Sequence, residues 1–415
     1  MHPMNYRITA PPATEATIVL PASKSITARA LVIDALSKTP CTLTNVAMCD
    51  DTHALMQGLD MKQGTANVGA AGTAMRFLTA FHAAQPGHDV MIDGSERMRE
   101  RPIAPLVDAL RQLGAHIEYS HHEGFPPLHI VGKTLRGGGH ISIRGDVSSQ
   151  FASALMLIAP TVGGLDIRLE GEVVSAPYID MTIAIMRHFG ISASWQGDII
   201  AIPAGEYIAS RLDIETDWSA ASYWLALQAL LPHSRISLTG LQPDSWQGDS
   251  RMLTFMQQMG MRAQWDEDGL LSLDMSQTAC CCCSTFADLN GTPDLAPTLI
   301  TMLCLLGRPF RLTGLRTLAI KESDRLEVLR DEIAKLGYLI QLEGREAVNW
   351  HFETCDPQPE PHINPHNDHR IAMALALAAT RHPGIIIEHA EVVKKSYPMF
   401  WQDLSNANFL IENIL

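Results

Sequence analysis

A pattern that returns six times along the chain restricts its fold more than any other feature. Each time, a short polar signal opens a strongly apolar, helix-like run: at Ser25, Gly72, Ser149, Ser219, Asp294 and Asp368. The intervals between these starts are 47, 77, 70, 75 and 74 residues, so four of the five agree. Self-similarity of this kind marks a chain built from copies of one supersecondary unit. The second half of the unit recurs as well. The amphipathic run Val107 to Leu113 is followed by Gly114 and a strand-like stretch from Ala115 to Tyr119, and comparable runs end at Gly190, Gly260 and Gly337. Glycine suits the left-handed residue just past a helix end. Each unit therefore combines strands with one helix buried on all sides and one amphipathic helix.

The short first interval is informative. Asp51 to Leu59 supplies an amphipathic helix, but the expected glycine, strand and hairpin are missing before Gly69. The unit is roughly 25 residues short of the repeat period, which reads as a local deletion and not a loss of the fold. Alternating strands and helices indicate an α/β class, and six units divide naturally into two domains of three. If the buried helices of a domain run the same way, their positive ends converge on one face. Each would then favour an anion by about 0.3 to 1 kcal/mol.

Composition limits the partners. With 46% hydrophobic and 18% charged residues among 415, the chain can bury a large core and is not read as disordered. Its net charge of −14, without a long basic run, argues against nucleic acid or an anionic membrane surface. No apolar run suits a membrane span or an export signal, so a soluble, cytoplasmic protein is expected. Eight cysteines are too few for a disulfide scaffold; the four consecutive ones, Cys280 to Cys283, lack chelating spacers and read as strand or loop. His362, His366 and His369 are separated by Pro and Asn residues that break a helix, so no metal site is expected there.

Any anionic ligand must then meet a local gathering of cations. Lys24, Ser25 and Arg29 sit at the first helix start, and Arg76 follows the second. Ser148, Ser149 and Gln150 open the third; Asp294, Asp368, His369 and Arg370 open later ones. Arg99, Arg101, Lys321, Arg325, Lys394 and Lys395 complete the set. Taken singly, each reads as a cap or a solvated cation. Several arginines beside Pro, Gly or helix starts instead suit bidentate anion recognition, and together they point to a small polyanionic substrate. Glu322, between Lys321 and Arg325, can stay charged or relay a proton; the alternative is a first-turn residue favoured by the helix dipole. Asp294 follows Pro293 at a helix start, with little beyond backbone expected to pair it. Neither a phosphate-binding G-x-x-x-x-G-K-[ST] loop nor a dinucleotide G-x-G-x-x-G fingerprint is present.

The motifs, in order, are Leu20-Pro21-Ala22-Ser23-Lys24-Ser25, Ala71-Gly72-Thr73-Ala74-Met75-Arg76, Arg99-Glu100-Arg101-Pro102-Ile103, Val147-Ser148-Ser149-Gln150-Phe151, Ser175-Ala176-Pro177-Tyr178, Lys321-Glu322-Ser323-Asp324-Arg325, Asn367-Asp368-His369-Arg370 and Lys395-Ser396-Tyr397-Pro398. This ordered set spans nearly the whole chain and resembles the 5-enolpyruvylshikimate-3-phosphate synthases, enolpyruvyl transferases of the aromatic amino-acid pathway. The resemblance implies two inverse α/β domains, each of three βαβαββ units, joined by two crossing segments. Residues 21–246 would form one domain, and residues 1–20 with 247–415 the other. A cleft site closing on substrate, a monomer, and a reaction without metal, cofactor or covalent enzyme intermediate are also implied. So is competition by glyphosate with phosphoenolpyruvate.

Carried over position by position, the resemblance makes Asp294 the base or orienting group for the 5-hydroxyl of shikimate 3-phosphate. Glu322 becomes the proton donor and acceptor at C3 of phosphoenolpyruvate. Lys24 would stand near both substrates and Lys395 near the phosphoenolpyruvate phosphate. Arg101, Arg325 and Arg370 would clamp phosphoenolpyruvate, with Gly72, Gln150 and His369 alongside. Shikimate 3-phosphate would be held by Ser25, Arg29, Ser148, Ser149, Gln150, Ser175, Tyr178, Asp294 and Lys321. Three features depart from the family pattern: Ala70 and Thr317 stand where asparagine is usual, and the first unit is shortened. The shortened unit and Ala70 motivate a rival reading as a non-catalytic binder of shikimate-like phosphates. UDP-N-acetylglucosamine enolpyruvyl transferases share the fold but carry a cysteine on a mobile loop, and the corresponding stretch, Ser95 to Arg101, has none.

Overall fold

The computed structural model describes residues 4–275 and 284–414, so the Cys280 to Cys283 run lies outside the described residues. The chain forms two compact units, one of Ala22–Ile214 and one of Met1–Pro21 with Glu215–Leu415. The return crossing therefore lies at Ile214 to Glu215 and not after Trp246. Residues 215–246 fold with the second unit because the strand Arg235–Thr239 pairs in parallel with Glu15–Val19 and antiparallel with Leu271–Asp274.

Six apolar helices occupy the positions that the repeat marks. In the Ala22–Ile214 unit these are Lys24–Leu36, Gly72–Ala83 and Ser149–Ile158, which pack against one another. In the other unit they are Trp218–Leu230, Ala296–Leu305 and His369–Ala376, the middle one touching both of its neighbours. Every residue of Ala296–Leu305 is buried, and in Trp218–Leu230 only Ser219 is not. Apolar side chains on all faces leave such helices no stable place except the interior, where truncating a leucine to alanine costs about 2 to 5 kcal/mol.

Sheets surround these helices. Five have four strands in one plan, a parallel pair extended by an antiparallel hairpin, as in the sheet of Gly139–Arg144, Leu165–Glu170, Ile199–Ile202 and Ser194–Gln196. The amphipathic helices Ala104–Gln112, Ala176–His188, Arg251–Gln258 and Arg325–Ala334 are each followed by a glycine of positive φ: Gly114, Gly190, Gly260 and Gly337. These are the helix ends that the sequence pattern marks. The first repeat lacks its hairpin as expected, but the strand Gln63–Asn67, paired in parallel with Asp89–Asp93, stands before Gly69 where none was expected. Thr42–Thr44 and Arg211–Asp213 make a two-stranded parallel sheet, and the hairpin that extends the other five sheets is absent among the described residues. In the last repeat the hairpin comes from the chain ends, with Asn5–Thr9 paired to both Ile385–Ile387 and Leu410–Ile414.

Candidate active site

Within the unit containing Glu215–Leu415, the starts of all three buried helices meet. The Arg370 guanidinium, at the head of His369–Ala376, donates to Asp294 Oδ2 at 3.1 Å and to Ser219 Oγ at 3.3 Å. Asp294 lies in the short turn Pro293–Leu295 that leads into Ala296–Leu305, and Ser219 is the one unburied residue of its helix. The convergence follows from the fold: each helix is uncharged beyond its first turn, so the ionisable residues stand where the helix begins.

Arg325 is the centre of this cluster. It is 1% exposed and donates to three carboxylates: Asp294 Oδ1 at 2.8 Å, Glu322 Oε2 at 2.9 Å and Asp368 Oδ2 at 2.7 Å. Lys395 reaches the other Glu322 oxygen at 2.7 Å, and Lys321 lies 3.4 Å from Asp294 Oδ1. Asp294 is thus paired with three cations, contrary to the expectation that backbone alone would accompany it. Burial would raise the Asp294 carboxyl, but Arg370, Lys321 and Arg325 outweigh it and hold the group well below the usual carboxylate range. Burial likewise disfavours charge on Arg325, yet Asp368, Glu322 and Asp294 overcome it and raise its pKa. Glu322 is no first-turn residue. It precedes the helix Arg325–Ala334 and bridges two cations. His369 is buried at its helix start, its Nδ1 3.9 Å from Asp368 Oδ1.

The Ala22–Ile214 unit gathers a different set. Lys24 Nζ donates to Asp51 Oδ2 at 2.8 Å, joining two helix starts. Arg29 is 2% exposed, and its partners are all neutral: Ser25 O at 2.8 Å, Thr182 Oγ1 at 2.7 Å, Ser153 Oγ at 3.0 Å and Tyr178 O at 3.3 Å. The rings of Phe77 and Tyr178 lie 5.5 and 5.8 Å from its guanidinium carbon. Burial without a counter-ion pulls its pKa down to about 10. Ser148 caps the helix Ser149–Ile158 through Gln150 N, the Gln150 side chain donates to Thr73 Oγ1 at 3.0 Å, and Ser149 is buried. Ser175 holds the left-handed conformation, φ 56°, before the helix Ala176–His188. Such a backbone is uncommon outside glycine and aims the next turn at a fixed angle.

Gly72 and Arg101 are in direct apposition. A Cβ on Gly72 would stand 2.7 Å from Arg101 Nη1 and 2.8 Å from Nη2, so only glycine lets the guanidinium lie against the helix start. Arg76 donates to Gly72 O and Pro102 O, which fastens the Arg101 loop to the same helix. Arg99 does not join this group; it makes an exposed two-point ion pair with Asp93. Lys394 is exposed, whereas its neighbour Lys395 is buried. Sequence reasoning missed Asp51 and Asp249 and listed Asp368 only as a helix opener. Asp51 and Asp368 find their cations 27 and 43 residues away, and no local pattern marks such pairs.

Comparison with known proteins gives the family. The family model described as EPSP synthase (3-phosphoshikimate 1-carboxyvinyltransferase) matches residues 8–65 and 59–404. A protein of Bacteroides fragilis (strain YCH46) named 3-phosphoshikimate 1-carboxyvinyltransferase is 46% identical over 411 residues, covering 99% of each chain. A protein of the same name from Syntrophobacter fumaroxidans is 36% identical, over 94% of this chain and 96% of its own. The solved structure of EPSP synthase from Acinetobacter baumannii superposes with a TM-score of 0.76 at 21% identity, covering 99% of this chain and all of that one. The sixfold architecture, the ordered motifs and these full-length matches place the chain in the EPSP synthase family.

Proposed function

We propose that this protein transfers the enolpyruvyl group of phosphoenolpyruvate to the 5-hydroxyl of shikimate 3-phosphate and releases inorganic phosphate, a step toward chorismate and the aromatic amino acids. The observation that carries the reading is the buried cluster in which Asp294 and Glu322 share Arg325 while Lys395, Arg370 and Lys321 complete their pairing. Two carboxylates ringed by cations suit a reaction with two proton transfers. Asp294 takes the proton of the 5-hydroxyl as its oxygen bonds to C2 of phosphoenolpyruvate, and Glu322 passes to C3 a proton drawn from the Lys395 ammonium that donates to it at 2.7 Å. In the second stage Glu322 takes a proton back from the new methyl group, the C2–O bond to phosphate breaks, and the double bond re-forms. Asp294 gains basicity when Arg370 and Lys321 turn from it to the incoming anions.

Arg101, Arg325, Arg370, Lys24 and Lys395, with Gly72, Gln150 and His369, serve phosphoenolpyruvate. Ser25, Arg29, Ser148, Ser149, Gln150, Ser175, Tyr178 and Lys321 serve shikimate 3-phosphate. Arg29 supports that division, because a buried cation with only neutral partners favours the arrival of an anion. Fixed cations around developing charge are the main catalytic device such a set offers. The protein acts as a cytoplasmic monomer, and glyphosate competes with phosphoenolpyruvate. No helix among the described residues is long and apolar enough to cross a membrane.

The truncated first sheet, together with Ala70, favours the binder reading. Against it, the B. fragilis relative aligns over 99% of both chains and so has no room for an extra hairpin of roughly 25 residues, yet it bears the transferase name. Phosphate release with purified protein distinguishes the two. Release that needs both substrates supports the transferase; binding of shikimate 3-phosphate with no release supports the binder.

A further inference from the structure

Asp249 lies outside every motif that the sequence singled out. It is 4% exposed, in the short turn Gly248–Ser250, and its Oδ2 accepts the hydroxyl proton of Ser219. A serine hydroxyl has one proton to give, so committing it to Asp249 leaves the oxygen lone pairs for another donor. That donor is Arg370 Nη2, at 3.3 Å, which also holds Asp294 at 3.1 Å. A continuous line thus runs from Asp249 through Ser219 and Arg370 to Asp294.

The far end of this line is anchored where the chain returns to the unit. Glu215, the first residue after the crossing, is 6% exposed and accepts from the Ser245 hydroxyl, from Trp246 N at 3.1 Å and from Gln247 Nε2 at 3.0 Å. Gln247 also donates to Thr216 O at 2.7 Å and accepts from Trp218 N at 3.1 Å, and Ser250 N donates back to Gln247 O. The turn bearing Asp249 is therefore fixed to both the crossing and the helix that presents Ser219. We infer that Asp249 is a positioning residue for Arg370: held by the Glu215 and Gln247 clamp, it orients the Ser219 hydroxyl and so fixes the guanidinium that receives phosphoenolpyruvate.

Charges facing Asp249 are Arg370, Asp294 and Asp217, and burial pushes its own pKa up to about 6. Protonation there would release the Ser219 hydroxyl, so phosphoenolpyruvate binding should weaken as pH falls through that value. The inference rests on the enolpyruvyl-transfer reading, and wild-type turnover is measured first. No phosphate release by the wild type sinks that reading; normal release lets the variants judge Asp249 alone. For Asp249→Asn, a KM for phosphoenolpyruvate raised about tenfold is expected, with the KM for shikimate 3-phosphate and kcat within about twofold of wild type. Ser219→Ala should give the same pattern, the double variant should be no worse than either single one, and the rise of KM below pH 6 should vanish in Asp249→Asn. Additive losses, or an unchanged KM in a folded Asp249→Asn, overturn the inference. If that variant fails to fold, the wild-type pH profile and Ser219→Ala decide: a KM flat between pH 7 and 5, or unchanged in Ser219→Ala, overturns it as well.

Discussion

Two buried arginines, one in each unit, show how differently the same side chain can be used. Arg325 is surrounded by the carboxylates of Asp294, Glu322 and Asp368, whereas Arg29 has hydroxyls, carbonyls and aromatic rings and, among the described residues, no counter-ion. A guanidinium with three acids is a structural hub that ties them together. One with neutral partners is held by hydrogen bonds and ring faces alone. On the proposed function, the contrast puts proton chemistry with the unit containing Glu215–Leu415 and anion binding with the Ala22–Ile214 unit.

The largest expected difference is in stability. Arg325→Met would leave three buried carboxylates short of a cation and should lower the unfolding free energy by about 3 to 5 kcal/mol in urea titrations. Arg29→Met should cost about 1 kcal/mol or less, because Thr182 already bonds to Ser153 and to Tyr178 O without it. Equal costs would break the distinction.

Acid should separate the units next. His82 is fully buried, its Nδ1 2.9 Å from His88 Nδ1 and its Nε2 3.1 Å from Gly58 O. Burial first, then His88, lowers its pKa from 6.5 to about 4. A histidine held neutral contributes full stability above its unfolded value and loses it as pH falls from 6.5 toward 4. The loss is on the order of 3 kcal/mol. The Asp294 carboxyl is lowered as well, but from an ordinary value of 3.8, so its contribution is lost only as the pH falls below that value. Hydrogen exchange at pH 5 should therefore loosen the Gly72–Ala83 helix before Ala296–Leu305, and His82→Gln should remove that pH dependence. Simultaneous loosening would contradict the assignment.

Smaller effects concern binding. Arg29→Met should raise the KM for shikimate 3-phosphate roughly 10- to 100-fold, the worth of a hydrogen bond to a charged group. Its KM for phosphoenolpyruvate should change much less. Gly72→Ala pushes Arg101 away and should raise the KM for phosphoenolpyruvate about tenfold, leaving stability nearly unchanged. A Gly72→Ala protein with wild-type KM would show that Arg101 does not need that contact.

Much of this was legible in the chain because it is local. Apolar runs opened by Ser25, Gly72, Ser149, Ser219, Asp294 and Asp368 mark the six inner helices, and glycines past the amphipathic helices mark their ends. The interval of 47 residues announced the missing hairpin. What was not legible depends on long-range pairing. The return crossing was expected after Trp246, but the strand Arg235–Thr239 belongs with Glu15–Val19, some 220 residues away. Arg99 resembles its neighbour Arg101 in sequence, and only the outward turn beside Asp93 separates the surface cation from the buried one. Asp249 has no motif to announce it, since its partner Ser219 lies 30 residues back.

The central claim is that Glu322 moves a proton to and from C3 of phosphoenolpyruvate while Asp294 serves the hydroxyl. Turnover in deuterium oxide tests this most directly. The wild type should place solvent deuterium in the vinyl position of the product, and Glu322→Gln should lose both the label and phosphate release by about 10² to 10⁴-fold. Product formed at the wild-type rate without deuterium at C3, or undiminished labelling in Glu322→Gln, would contradict the account.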